Sequence, residues 1–156
     1  VGSPSVEKLI AFWLSTGGAL NPGSTEDQLA AFESRYRVSL PEDLRELLLT
    51  VNGQYCVNDP LDESRGLIEF HVLGEITPLY PPSLPLDPPA PCYFSFADFL
   101  ISSHDYGILL SADSTGENPV AVFHDAHPII VASSFSEFAE GYLANDQAVL
   151  FPPPLR

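Results

Sequence analysis

Ser24-Thr25-Glu26-Asp27-Gln28-Leu29-Ala30-Ala31-Phe32-Glu33, then Val38-Ser39-Leu40-Pro41-Glu42-Asp43-Leu44, then Val51-Asn52-Gly53 is the stretch on which the fold turns. Thr25-Glu26-Asp27-Gln28 is a capping-box pattern, in which the Thr25 hydroxyl and the Gln28 side chain satisfy each other's backbone amides. Leu29, Phe32 and Tyr36 recur at helical spacing and mark one buried stripe. Glu33 precedes Arg37 by four residues, an order that adds about 0.2–0.5 kcal/mol to an isolated helix. The next helix opens at Leu40-Pro41-Glu42-Asp43. The missing proline N–H would be an orphan in a first turn anyway, and the two acids complement the positive helix end. Leu44, Leu47, Leu48 and Val51 form its apolar face. Asn52-Gly53 reads as its stop, with Gly53 suited to the left-handed position after a helix.

Outward from this stretch the chain reads as helices first and strands later. Ser3-Pro4 opens a helix near 5–15 whose apolar residues are Val6, Leu9, Ile10, Trp13 and Leu14, and Gly17-Gly18 stops it. After residue 66 the period changes: Ile68, Phe70 and Val72 alternate with Glu69 and His71, as in a half-buried strand. Further strands are expected at 76–80, 93–101, 106–112, 120–124 and 129–132. Residues 78–91 contain seven prolines, which cannot donate to a sheet ladder, so that segment is expected to be an extended loop. Ser134-Phe135-Ser136-Glu137 opens a closing helix near 134–145 with Phe135, Phe138 and Tyr142 on its stripe, and the tail 147–156 is expected to be extended. No internal repeat is visible. This order predicts an α+β layer fold in one domain, 1–156.

Composition narrows the function. The chain has 156 residues, 45% of them hydrophobic, enough to build a core without metal or disulfide staples. No apolar run reaches the roughly 18 residues of a membrane span. Val1-Gly2-Ser3-Pro4 has no basic region before an apolar core, so no signal peptide is expected and the expected compartment is the cytoplasm. Six Lys and Arg stand against 21 Asp and Glu, for a net charge of −15. Phosphate backbones and anionic membranes would repel such a surface, so neither nucleic acid nor membrane is an expected partner. The imbalance is concentrated: residues 66–155 carry eleven acids and no Lys or Arg. Such a field attracts a basic partner and speeds its encounter, and it also simply keeps a domain soluble.

Motifs for chemistry are weak. His124-Asp125-Ala126-His127 holds two imidazoles three residues apart at a strand end, without a third ligand at a workable spacing, and reads as a surface turn. Ser102-Ser103-His104-Asp105 has the letters of a catalytic triad, but neighbours on a chain rarely aim at one another and no nucleophile elbow accompanies them. Asp113 to Asn118 lacks the later ligands of a calcium loop. Cys56 and Cys92 are too few for a disulfide scaffold, and nothing in the sequence places either beside His71 as a nucleophile. Pro82-Ser83-Leu84-Pro85 and Pro85-Leu86-Asp87-Pro88 fit the PxxP pattern without the basic neighbour that such ligands carry, and read as a stiff loop. No catalytic residue, cofactor or metal is assigned.

Phe32-Glu33, Leu40-Pro41-Glu42-Asp43 and Asn52-Gly53, with Ala132-Ser133-Ser134-Phe135-Ser136-Glu137-Phe138 near the end, resemble the SUKH superfamily in its cell-wall-assembly-regulator (SMI/KNR) branch, over about 24–145. The resemblance implies N-terminal helices, a central, mostly antiparallel, curved sheet and a closing helix. Phe32, Glu33, Leu40, Pro41, Asn52 and Gly53 are its structural motif residues. It also implies a non-enzymatic binding domain. Many bacterial members are immunity proteins that neutralise toxins, often basic nucleases, and the eukaryotic branch includes regulatory adaptors with endogenous partners. The proline segment 78–91 departs from the family pattern. The expected partner is therefore a protein, most simply a basic toxin domain. Strand alternation points the charges between apolar positions away from the helices. Glu69, Asp98, Asp105, Asp113, Glu117 and Asp125 are the expected contacts. The oligomeric state is left open.

Overall fold

The Thr25 hydroxyl accepts from the Gln28 amide and the Gln28 side chain accepts from the Thr25 amide, so the capping box forms and α2 (Glu26–Tyr36) starts where expected. A computed structural model describes residues 3–17, 19–56, 64–79, 91–100, 103–113, 117–124 and 127–153. Residues 80–90 of the proline loop, Ser102 of the triad-like run and Asp125 lie outside those residues, as does the side chain of Cys56, while Pro78 at the loop's start is in a strand.

The helices are α1 (Pro4–Ser15), α2, α3 (Glu42–Thr50), α4 (Phe135–Leu143) and α5 (Gln147–Leu150). α1 takes Pro4 in its first turn, as read from the sequence. Two features correct the reading of the first half. Val51 is already extended when α3 ends, and β2 (Val51–Cys56) pairs antiparallel with β1 (Ala19–Pro22) in a two-stranded sheet. Gly53 does take a left-handed φ of 72°, but inside β2 rather than at a helix cap. The tail is also not wholly extended: Asp146 caps α5 by accepting from the Ala148 amide.

The main sheet has β3 (Ile68–Phe70), β4 (Thr77–Pro78), β5 (Cys92–Phe99), β6 (His104–Leu110), β7 (Val120–Phe123) and β8 (Pro128–Ala132). All its pairings are antiparallel, in the order β3-β5-β6-β7-β8, with β4 also beside β5. The α+β class is thus as expected. Helices cover one face. Phe70 packs its ring against Trp13, Phe96, Phe138 and Tyr142, and Phe32 and Tyr36 pack against Phe94. Phe32, Leu44, Leu47, Leu48, Phe135 and Phe138 belong to one buried cluster. Each such side chain contributes about 1.5–3 kcal/mol by leaving water.

Candidate functional site

The site grows from an irregularity in β5. Ser95 faces Gly107 and Ala97 faces Tyr106, so Phe96 is an extra residue, a β-bulge. Strict alternation from Phe94 and Phe96 would turn Asp98 into the core. The bulge resets the phase: Phe96 and Ala97 are both buried, and Asp98 pairs with Asp105 on the face away from the helices. Glu69 of β3 sits opposite Asp98 on its other side. Glu69, Asp98 and Asp105 therefore form one row across three adjacent strands, continued by Phe123 on β7.

His71 follows β3 and joins this row. Its amide donates to the Phe96 carbonyl (2.8 Å), and its Nε2 lies 4.0 Å from Asp98 Oδ2. Its Nδ1 lies 3.7 Å from Glu75 Oε2. The backbone here is braced by β2. Gln54 Oε1 accepts from the Phe70 amide (2.8 Å) and Asn52 Oδ1 from the Leu73 amide (2.7 Å). Between them Gly53 lies so close that a Cβ would be 2.6 Å from the His71 carbonyl carbon. The Asn52-Gly53 motif thus positions the segment that carries His71, a role its sequence context gave no sign of. Ser95 Oγ donates to Asp105 Oδ1 (3.2 Å).

The electrostatics follow from crowding. Burial, and then the Asp98 carboxylate, raise the Glu69 carboxyl above its ordinary value, against a smaller opposing pull from His71. Burial chiefly raises Asp105 as well, with Asp98 adding to it and the Ser95 hydroxyl opposing. Basic side chains elsewhere are engaged in the helical layer. Arg45 binds Glu26 (2.6 Å) and Glu33, and Arg65 donates to the Tyr142 and Leu143 carbonyls while its guanidinium lies over the Phe12 ring. Lys8 approaches Glu140.

The six acids chosen from sequence do not form one patch. Glu69, Asp98 and Asp105 come together, and Asp98 is buried rather than exposed. Asp113 and Glu117 are exposed in the turn beyond the far end of β6, and Asp125 lies outside the described residues. His104 and Asp105 alternate to opposite faces, so the triad-like letters do not converge. His104 is buried in the core, 3.1 Å from the Tyr106 hydroxyl, and burial lowers its pKa. His124 and His127 are exposed. Cys92 is half-buried, and burial raises its thiol, which does not favour a nucleophile. His71, which pattern reading treated as a strand residue beside a hypothetical cysteine, is the imidazole that the acids surround.

On the helical side a groove of about 810 Å³ is lined by Glu26, Glu42, Asp43, Arg45, Glu46 and Thr50 among others. Its acids already serve the fold: Asp43 accepts from the Ser136 amide and hydroxyl, and Glu46 accepts from the Ser3 amide. No described helix is long and apolar enough to cross a membrane.

A family model described as SMI1 / KNR4 family (SUKH-1) matches residues 23–141. No curated protein matches the chain. The family match spans α2, α3, β2, the main sheet and most of α4, and leaves out α1, β1 and α5.

Proposed function

From the premise that the chain belongs to the SMI1 / KNR4 family (SUKH-1), we propose that it is a non-enzymatic protein-binding domain of the immunity type, which neutralises a basic toxin domain by stoichiometric binding in the cytoplasm. The observation that carries this reading is the row of Glu69, Asp98 and Asp105 on the sheet face away from the helices, within residues 66–155, which hold no Lys or Arg. A basic catalytic surface is complementary to such a face, and charge complementarity sets both encounter rate and partner choice.

The test is co-expression with any toxin domain found encoded beside this gene. Expected is restored growth and a 1:1 complex that abolishes the toxin activity in vitro. Undiminished toxicity with no complex overturns the reading. A stable complex with a host protein in place of any toxin would support the regulatory adaptor instead.

A further inference from the structure

One ligand atom from each of His71, Asp98 and Asp105 lies within 4.8 Å of the others, and no other such group occurs among the described residues. We propose that these three side chains bind one divalent first-row transition cation, zinc more tightly than manganese. A cation held at about 2.0–2.2 Å needs its donors roughly 3–4 Å apart, so side-chain rotation of the two carboxylates closes the set.

The imidazole is the observation that separates this site from an ordinary acidic surface. Its side chain is 11% exposed, and Nδ1 is sealed from solvent with no hydrogen-bond partner. Nε2 faces Asp98 at 4.0 Å, beyond hydrogen-bond range. Coordination at Nε2 gives that nitrogen the partner Asp98 does not supply, and leaves the ring proton on the orphaned Nδ1. Nδ1–H then points toward Glu75 Oε2, 3.7 Å away, and a small movement of that exposed carboxylate completes the carboxylate–histidine–metal arrangement that fixes tautomer and ring angle. Ser95 orients Asp105 in the same way.

Charge favours the same conclusion. Two carboxylates stand directly opposite each other, a third, Glu69, lies in the row, and like charges so placed repel. A divalent cation offsets them. The donor set names the class: an imidazole with carboxylates and no thiolate suits zinc, iron, cobalt or manganese over cuprous copper, and the imidazole argues against magnesium and calcium. The order of affinities along the first row places zinc above manganese. The cation is held by this chain alone, and because Asp98 and Asp105 also belong to the proposed partner surface, its binding is measured on the free chain.

The full chain, stripped with EDTA and dialysed, is titrated with zinc chloride and separately with manganese chloride by calorimetry. Expected is one zinc per chain and weaker manganese binding. Asp105→Asn and His71→Gln are each expected to weaken zinc binding by more than about tenfold, and His124→Asn, at an exposed imidazole, to leave it unchanged. In long-range ¹H–¹⁵N spectra of the unaltered protein, zinc is expected to move the His71 ring resonances and leave those of His104 in place. That measurement decides the matter if a variant fails to fold. Absence of saturable 1:1 binding, affinity retained in both folded variants, or zinc binding without a His71 shift overturns the site.

Discussion

Gly53 stands at φ 72° with the His71–Val72 peptide against its Cα. Left-handed backbone costs a residue with a Cβ roughly 1–2 kcal/mol, and the added methyl would meet backbone that has nowhere to go. Gly53→Ala is therefore expected to cost at least about 2 kcal/mol in urea unfolding with an unchanged m-value. Gly74→Ala, where an added Cβ meets nothing within 4 Å, serves as the near-neutral control. Leu48, at 2% exposure, answers a different physics. Leu48→Ala removes core contacts and leaves a cavity, an expected loss of about 2–5 kcal/mol in the same measurement. Both residues were visible in sequence, but unequally. The apolar stripe of α3 follows from local period alone. The need for glycine at 53 was legible as a left-handed position, while its cause, the approach of a segment eighteen residues later in the chain, was not.

Glu33 shows how one motif residue joins two elements. One carboxylate oxygen accepts from the Leu40 amide (2.9 Å) ahead of α3 and the other binds Arg45 within α3, so α2 and α3 are tied across their connection. Glu33→Ala leaves that amide without its acceptor and the guanidinium with Glu26 alone, and is expected to destabilise by about 1–3 kcal/mol. Glu33→Gln keeps an oxygen for Leu40 and is expected to cost less, again by urea unfolding. At the start of α4, Glu137 accepts from the Ser133 hydroxyl and amide, and these bonds hold its carboxyl below the ordinary 4.5. The folded state then binds fewer protons than the unfolded one near that pH. The contribution is present above pH about 4.5 and lost as pH falls through the lowered value. Glu137→Gln is expected to unfold at a lower temperature than the parent at pH 7, with the gap narrowing as the pH falls through the lowered value. Elements with strong local signals, the caps at Thr25 and Ser134 and the strands from β5 to β8, were legible. The β1–β2 pair was not, because Ala19–Pro22 has no alternation and includes a proline. The bulge at Phe96 was not either: Ala97 and Asp98 do break the alternation of Phe94-Ser95-Phe96, but a break of period alone does not tell a bulge from a strand end. Since that bulge decides which way Asp98 faces, the site was less legible than the fold.

At the scale of the molecule the −15 charge acts on folding and on association in opposite directions. The acids repel one another in the compact state, while the same field draws in a basic partner. Added salt shortens the Debye length from about 10 Å at 0.1 M to about 3 Å at 1 M. The free, metal-stripped chain is therefore expected to melt at a higher temperature as sodium chloride rises, followed by circular dichroism. Over the same range the association rate with the proposed basic partner is expected to fall, followed by stopped-flow fluorescence. Replacing Glu69, Asp98, Asp105, Asp113, Glu117 and Asp125 by Gln or Asn separates local from global charge. If the partner docks on the sheet face, the variant associates more slowly at low salt and its rate depends less on salt than the parent's. The variant is expected to remain folded, since three of these positions crowd like charges and two are exposed. An unchanged salt slope in a folded variant would mean that the remaining acids steer the encounter, and that the acidic sheet row is not the surface on which the proposed partner docks.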